Sequence, residues 1–138
     1  MMPAGDSKMK DLNILIVEDN PFTAIDISKI LDSLGITRKT IANDGREALG
    51  LLDQADVSYD VIILDLRMPN MGGVEFLHRL ADKKHPASVM LLSGADEETR
   101  IAVESLAKQN NINMLGNLPK PPDLQHISEL LMQVADVP

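Results

Sequence analysis

Five short strand-like runs, the second polar enough to be an edge, alternate with five amphipathic segments, and this alternation restricts the fold more than any other feature of the chain. The runs are Leu12 to Val17, Arg38 to Ala42, Val61 to Asp65, Ser88 to Leu92 and Asn113 to Leu118. Each has the length of a strand, and each precedes apolar residues spaced for one face of a helix. The first such stripe is Ile27, Ile30, Leu31 and Leu34, opened by Asn20 as N-cap with Pro21 behind it and closed by Gly35. The second, Ala48, Leu51, Leu52 and Ala55, follows capping-box spacing from Asp44 to Glu47. Three more predicted helices run over 73–83, 96–108 and 123–135. Their inward residues are Val74, Leu77, Leu80 and Ala81, then Ile101, Val103, Leu106 and Ala107, then Ile127, Leu130, Leu131 and Val134. Repeated strand-then-helix units predict an α/β fold, a doubly wound five-stranded parallel sheet with helices on both faces and right-handed crossovers.

One domain over residues 11–138 accounts for this pattern, preceded by a polar N-terminal segment, 1–10, expected to be flexible. That segment has no apolar signal core and the chain has no cysteine, both of which suit the cytoplasm. No stretch approaches the roughly 20 apolar residues of a membrane span. The net charge of -8 repels phosphate backbones, which argues against direct nucleic-acid binding. Phe22, Tyr59 and Phe76 are the aromatic residues, so the core is expected to be aliphatic.

In a sheet of this kind ligands bind beyond the carboxyl ends of the strands. The polar groups there are Glu18 and Asp19 after the first strand, Asp65 after the third, Ser93 after the fourth and Lys120 after the fifth. Carboxylates gathered on one rim repel unless a cation lies among them, and hard oxygen donors favour Mg2+. A carboxylate nucleophile, a metal, an ammonium and a hydroxyl together describe phosphoryl transfer onto an aspartate. Isolated, each has a plainer reading, Asp65 as a turn residue and Glu18-Asp19 as an acidic helix entry. His78, His85 and His126 lack ligand spacing and are expected on helix or loop surfaces, solvated. Asp96-Glu97-Glu98 reads as first-turn stabilisation of a helix.

At these residues the chain resembles the two-component response regulator receiver domain, a flavodoxin-like fold, over about 11–136. The resemblance rests on Glu18-Asp19-Asn20, Asp44 to Leu49, Asp65 with Met68-Pro69 and Gly73, Ser93-Gly94, and Lys120-Pro121, in that order. It implies that Asp65 accepts a phosphoryl group from a sensor histidine kinase or phosphotransfer protein. It further implies that Asp19, Asp65 and the backbone carbonyl of Arg67 ligate Mg2+, with Glu18 acting through water. Ser93 and Lys120 would hold the phosphoryl group, and the Lys120-Pro121 bond is expected to be cis. The output would be a change in binding to a partner, to an output domain on a longer chain, or to a second copy through the helix four, strand five and helix five face.

The pattern departs in one place. The family commonly has Tyr or Phe three residues before the lysine, where this chain has Asn117. The input chemistry is therefore expected to be complete and the output face to signal differently. Arg67, two residues after Asp65, is expected to influence the lifetime of an aspartyl phosphate. Leu115 to Pro121 resembles receivers joined to cyclic di-GMP phosphodiesterase domains. The chain ends soon after the last predicted helix, as in a free-standing receiver or one cut from a longer regulator. Two rival readings are a docking module that works without phosphorylation and a Mg2+-dependent phosphatase with an aspartyl intermediate. The second would need an acid where Arg67 stands. A nucleotide-binding domain would need a glycine-rich phosphate loop after the first strand, which the sequence lacks.

Overall fold

A computed structural model of the protein describes residues 8–135. Strands β1 (Asn13–Val17), β2 (Arg38–Ala42), β3 (Val61–Leu64), β4 (Ser88–Ser93) and β5 (Met114–Pro119) form one parallel sheet in the order β2-β1-β3-β4-β5. Helices α1 (Pro21–Ser33), α2 (Gly45–Leu52), α3 (Gly73–Lys83), α4 (Glu97–Gln109) and α5 (Leu124–Ala135) connect and flank the strands. This is the doubly wound order whose switch point lies between β1 and β3.

Side chains alternate across the strands, so successive residues serve opposite cores. Leu15, Val17, Ile62, Leu64, Val89 and Leu91 face a core closed by α2, α3 and α4, centred on Phe76, Leu77 and Leu80. Ile14, Ile16, Val61, Ile63, Met90 and Leu92 face the other, closed by Ile27 and Leu31 of α1 and Ile127 and Leu131 of α5. The inner strands are buried on both faces, as their continuous apolar composition requires.

The N-cap of α1 is Asn20, whose side chain accepts from Phe22 N at 2.9 Å. The helix ends in a Schellman turn: Gly35, at φ 81, and Ile36 donate to the carbonyls of Asp32 and Leu31, both at 3.0 Å. Only glycine adopts that φ without strain.

Four expectations need correction. Helix α2 stops at Leu52, and Ala55 is exposed. The chain leaves the helix at Asp53, which pairs with Lys83 of α3, and turns toward buried Tyr59. On α3 the inward residues are Phe76, Leu77 and Leu80, whereas Val74 is exposed. On α4 Arg100, Val103 and Ala107 point inward, and Ile101 and Leu106 are exposed. In the N-terminal segment expected to be flexible, residues 8–10 are helical and Met9 is buried in the α1/α5 core, where its apolar side chain leaves water. Residues 1–7 and 136–138 lie outside the described residues.

Candidate functional site

Strand register carries the sequence-predicted residues to one rim. Val17 is level with Leu64, so Glu18 and Asp65 leave the sheet side by side at its switch point. The backbone fixes both: Glu18 N donates to the Ala42 carbonyl and Asp65 N to the Val17 carbonyl, each at 3.0 Å. Between β4 and β5 the register shifts after Val89, which brings Pro119 level with Ser93. Lys120 N then donates to the Ser93 carbonyl at 3.1 Å, one step beyond the ladder. The Lys120-Pro121 bond is cis, as expected.

Glu18, Asp19 and Asp65 each offer a carboxylate oxygen within 4.8 Å of the others. Glu18 is 2% exposed and Asp65 4%, while Asp19 is exposed at the mouth. Lys120 Nζ lies 2.8 Å from Glu18 Oε1 and 3.5 Å from Asp65 Oδ2, so one ammonium serves two buried carboxylates. Burial lifts the Glu18 carboxyl above its ordinary value of 4.5, against the pull of Lys120 and the Asn20 N–H, and the Asp65 charge adds to the rise. Burial pulls the Lys120 ammonium down, but the hydrogen bond to Glu18 and the Asp65 charge outweigh it, and its pKa is raised above 10.5. Three carboxylates against one ammonium leave the cluster short of positive charge. A divalent cation with oxygen ligands meets that shortfall, so the donor set fits Mg2+.

The loop after Asp65 is shaped by close packing. Gly73 N donates to the Leu66 carbonyl at 3.0 Å and Met71 N to the Pro69 carbonyl at 2.7 Å. None of the described backbone hydrogen bonds uses the Arg67 carbonyl, which leaves it available as an oxygen donor. Asn70 takes a left-handed φ of 66 and its amide donates to Asp44 Oδ2 at 2.9 Å, tying this loop to the entry of α2. A Cβ on Gly73 would stand 2.7 Å from Leu66 Cα and 2.9 Å from the Asp65 carbonyl oxygen, so only glycine lets α3 start this close.

Ser93 is fully buried, and its Oγ accepts from Ala95 N at 3.1 Å. The hydroxyl hydrogen remains for another acceptor, because a hydroxyl has one donor and two acceptor lone pairs. Past it, Asp96 caps α4 by accepting from Thr99 N at 2.8 Å, and this bond holds its carboxyl below the ordinary value, with smaller help from the Arg100 and Arg67 charges. The acidic start of α4 is thus a helix entry. Of the histidines, His85 departs from expectation: it is half-buried, its Nδ1 accepts from Ala87 N at 3.2 Å, and burial lowers its pKa.

Sequence reasoning missed Arg100. The residue is 8% exposed, and its guanidinium donates to the Ala95 carbonyl through NH1 at 2.7 Å and to Asn117 Oδ1 through Nε at 3.1 Å. The Asn117 amide in turn donates to Glu104 Oε1 at 2.6 Å. The available signal was helical spacing, since 100, 103 and 107 fall on one face.

The family model of the response regulator receiver domain matches residues 14–132. A cyclic di-GMP phosphodiesterase, RocR of Pseudomonas aeruginosa, is 37% identical over 125 residues, covering 89% of this chain. The chain spans 31% of the length of that relative. Among solved structures, a response regulator from Colwellia psychrerythraea superposes with a TM-score of 0.74 at 27% identity, over 91% of this chain and 97% of that one. The CheX–CheY complex with BeF3 and Mg2+ from Borrelia burgdorferi gives a TM-score of 0.76 at 26% identity, over 89% of this chain and 88% of the matched chain. No helix among the described residues is long and apolar enough to cross a membrane.

Proposed function

The chain belongs to the response regulator receiver family of two-component signalling, and from that premise we propose that Asp65 is its phosphoacceptor. The phosphoryl donor is a phosphohistidine on a sensor kinase or phosphotransfer protein. An Asp65 carboxylate oxygen attacks phosphorus, the phosphorus–nitrogen bond breaks, and the imidazole leaves with the electron pair. Asp19, Asp65 and the Arg67 carbonyl would hold Mg2+, with Glu18 reaching it through water. Bound there, Mg2+ supplies positive charge to the oxygens of the incoming group. Lys120 lies close enough to Asp65 to pair with the phosphoryl group once it is attached. Ser93 keeps a hydroxyl hydrogen to donate to another phosphoryl oxygen.

The observation that carries this reading is the cluster itself: three carboxylate oxygens within 4.8 Å, two of the groups buried and sharing one lysine. Carboxylates this close disfavour one another's charge unless a cation lies among them. The BeF3 and Mg2+ named for the Borrelia burgdorferi complex add support by likeness of fold. On this reading the domain turns over no metabolite. It promotes its own phosphorylation and passes the change to a partner, a linked output domain or a second copy.

The test is a titration of the chain with Mg2+ and beryllofluoride, followed by amide NMR. Shifts centred on residues 18–19, 65–67, 93–95 and 120 are expected, and Asp65→Asn should abolish the beryllofluoride response. A wild-type chain that binds Mg2+ but never beryllofluoride would refute the phosphoacceptor role. If Asp65→Asn kept full partner binding and signalling, docking without phosphorylation would be the better account.

A further inference from the structure

Helix α4 turns residues 100, 103 and 107 toward the sheet, and two of the three are apolar. The third is Arg100, whose side chain brings a guanidinium into a buried position. Burying such a group is unfavourable unless its donors are met, and here each bond leads somewhere specific. NH1 meets the Ala95 carbonyl, whose own residue donates its N–H to Ser93 Oγ. Nε meets Asn117 on β5, whose amide donates to Glu104, which lies 3.7 Å from Lys108 Nζ on the outer face of α4. Hydrogen bonds thus connect the Ser93 hydroxyl, through the Ala95 turn, Arg100 and Asn117, to Glu104 on α4.

We propose that Arg100 is a positioning residue for phosphoryl binding at Asp65: it anchors the Gly94-Ala95 turn against Asn117, and so sets the direction in which Ser93 presents its hydroxyl hydrogen. The same anchor carries any displacement of that turn to Asn117 and Glu104. A planar guanidinium can hold the Ala95 carbonyl and the Asn117 oxygen in fixed directions at once, which a lysine ammonium on a flexible stem does not. The ring expected at residue 117 is thereby replaced by a polar relay whose state depends on where Ala95 sits. Arg100 contacts none of the three clustered carboxylates in its described hydrogen bonds, so its effect falls on the phosphoryl group and not on the cation.

This inference rests on the phosphoacceptor reading, and one experiment separates the two. Wild type, Arg100→Met and Arg100→Lys are titrated first with Mg2+ and then with beryllofluoride in Mg2+, with amide NMR and thermal unfolding on each. Arg100→Met is expected to keep Mg2+ affinity, to bind beryllofluoride at least about fivefold more weakly, and to lose the response of the residue 104 and 117 amides. Arg100→Lys should recover part of the affinity. If Arg100→Met does not fold, Asn117→Ala removes the second anchor at a half-buried site and should show the same pattern. A variant that merely melts earlier while beryllofluoride affinity and the 104 and 117 responses match wild type overturns the proposal. Failure of the wild type to bind beryllofluoride overturns both this inference and the phosphoacceptor role.

Discussion

Adding one methyl group at Gly73 tests whether the acidic rim depends on close packing of α3 against the Asp65 loop. An alanine Cβ there would meet Leu66 Cα at 2.7 Å, the Asp65 carbonyl oxygen at 2.9 Å and Leu66 Cδ2 at 2.9 Å. Two of these three atoms are backbone and cannot swing aside, so α3 or the loop must shift. Overpacking of this kind costs roughly 1–3 kcal/mol, and the backbone contacts put the cost in the upper half of that range. Alanine gains at most about 1 kcal/mol in helix propensity, and less at the first helical residue. The net loss expected for Gly73→Ala is about 2 kcal/mol, or a fall in Tm of roughly 6–10 °C for a domain of this size. Gly50, on α2, offers the matched control, since a Cβ there meets nothing within 4 Å. Gly50→Ala should therefore stabilise by about 0.5–1 kcal/mol. Thermal and urea unfolding followed by far-UV circular dichroism gives both numbers, and Mg2+ titration of Gly73→Ala should show weaker binding as Asp65 is displaced. If Gly73→Ala proves as stable as Gly50→Ala, the close-packing argument fails.

Lys120→Met leaves two buried carboxylates without their shared ammonium, and the loss expected without divalent cation is on the order of 1.5–3 kcal/mol. Millimolar Mg2+ should restore part of that stability, and urea midpoints with and without the ion measure it. Equal midpoints for Lys120→Met and wild type in the absence of Mg2+ would contradict the charge argument. Arg67→Ala should change the decay rate of the phosphorylated form, read by intact mass against time, and an unchanged lifetime would dismiss a role for that side chain. His85 supplies a pH signature. Its folded pKa lies below 6.5, so the unfolded chain takes up the proton first as pH falls. Its contribution is complete above 6.5 and is lost as pH drops through that value toward the folded one. His85→Gln should flatten unfolding midpoints in that window by a few tenths of a kcal/mol, a small amplitude because the ring is only half-buried.

The fold was legible because strand and helix periods differ and because the termini of the elements carry their own chemistry. Asn20, Gly35 and Asp44 announced three helix ends, and each behaves as its residue type requires. The rim was legible because five polar residues stand at the ends of four strands, and parallel register alone brings Glu18 beside Asp65. What escaped was decided by packing. Phe76 displaced Val74 from the buried face of α3 because the larger ring fills the core against the sheet. Helix α2 ended at Leu52, where Asp53 is paired with Lys83, thirty positions away in sequence and out of reach of any local pattern. Arg100 went unseen because charged residues are seldom buried, and only Asn117, Ala95 and Glu104 in place around it make burial tolerable. Met9 shows the same limit, since a lone methionine in a polar segment gives no period to read.

The phosphoacceptor claim is tested most directly by incubating the chain with acetyl phosphate and Mg2+ and measuring intact mass and the modified residue. The account predicts one phosphoryl group, on Asp65, dependent on Mg2+ and absent from Asp65→Asn. Modification at another residue, or none under conditions where Mg2+ is shown to bind, would contradict it.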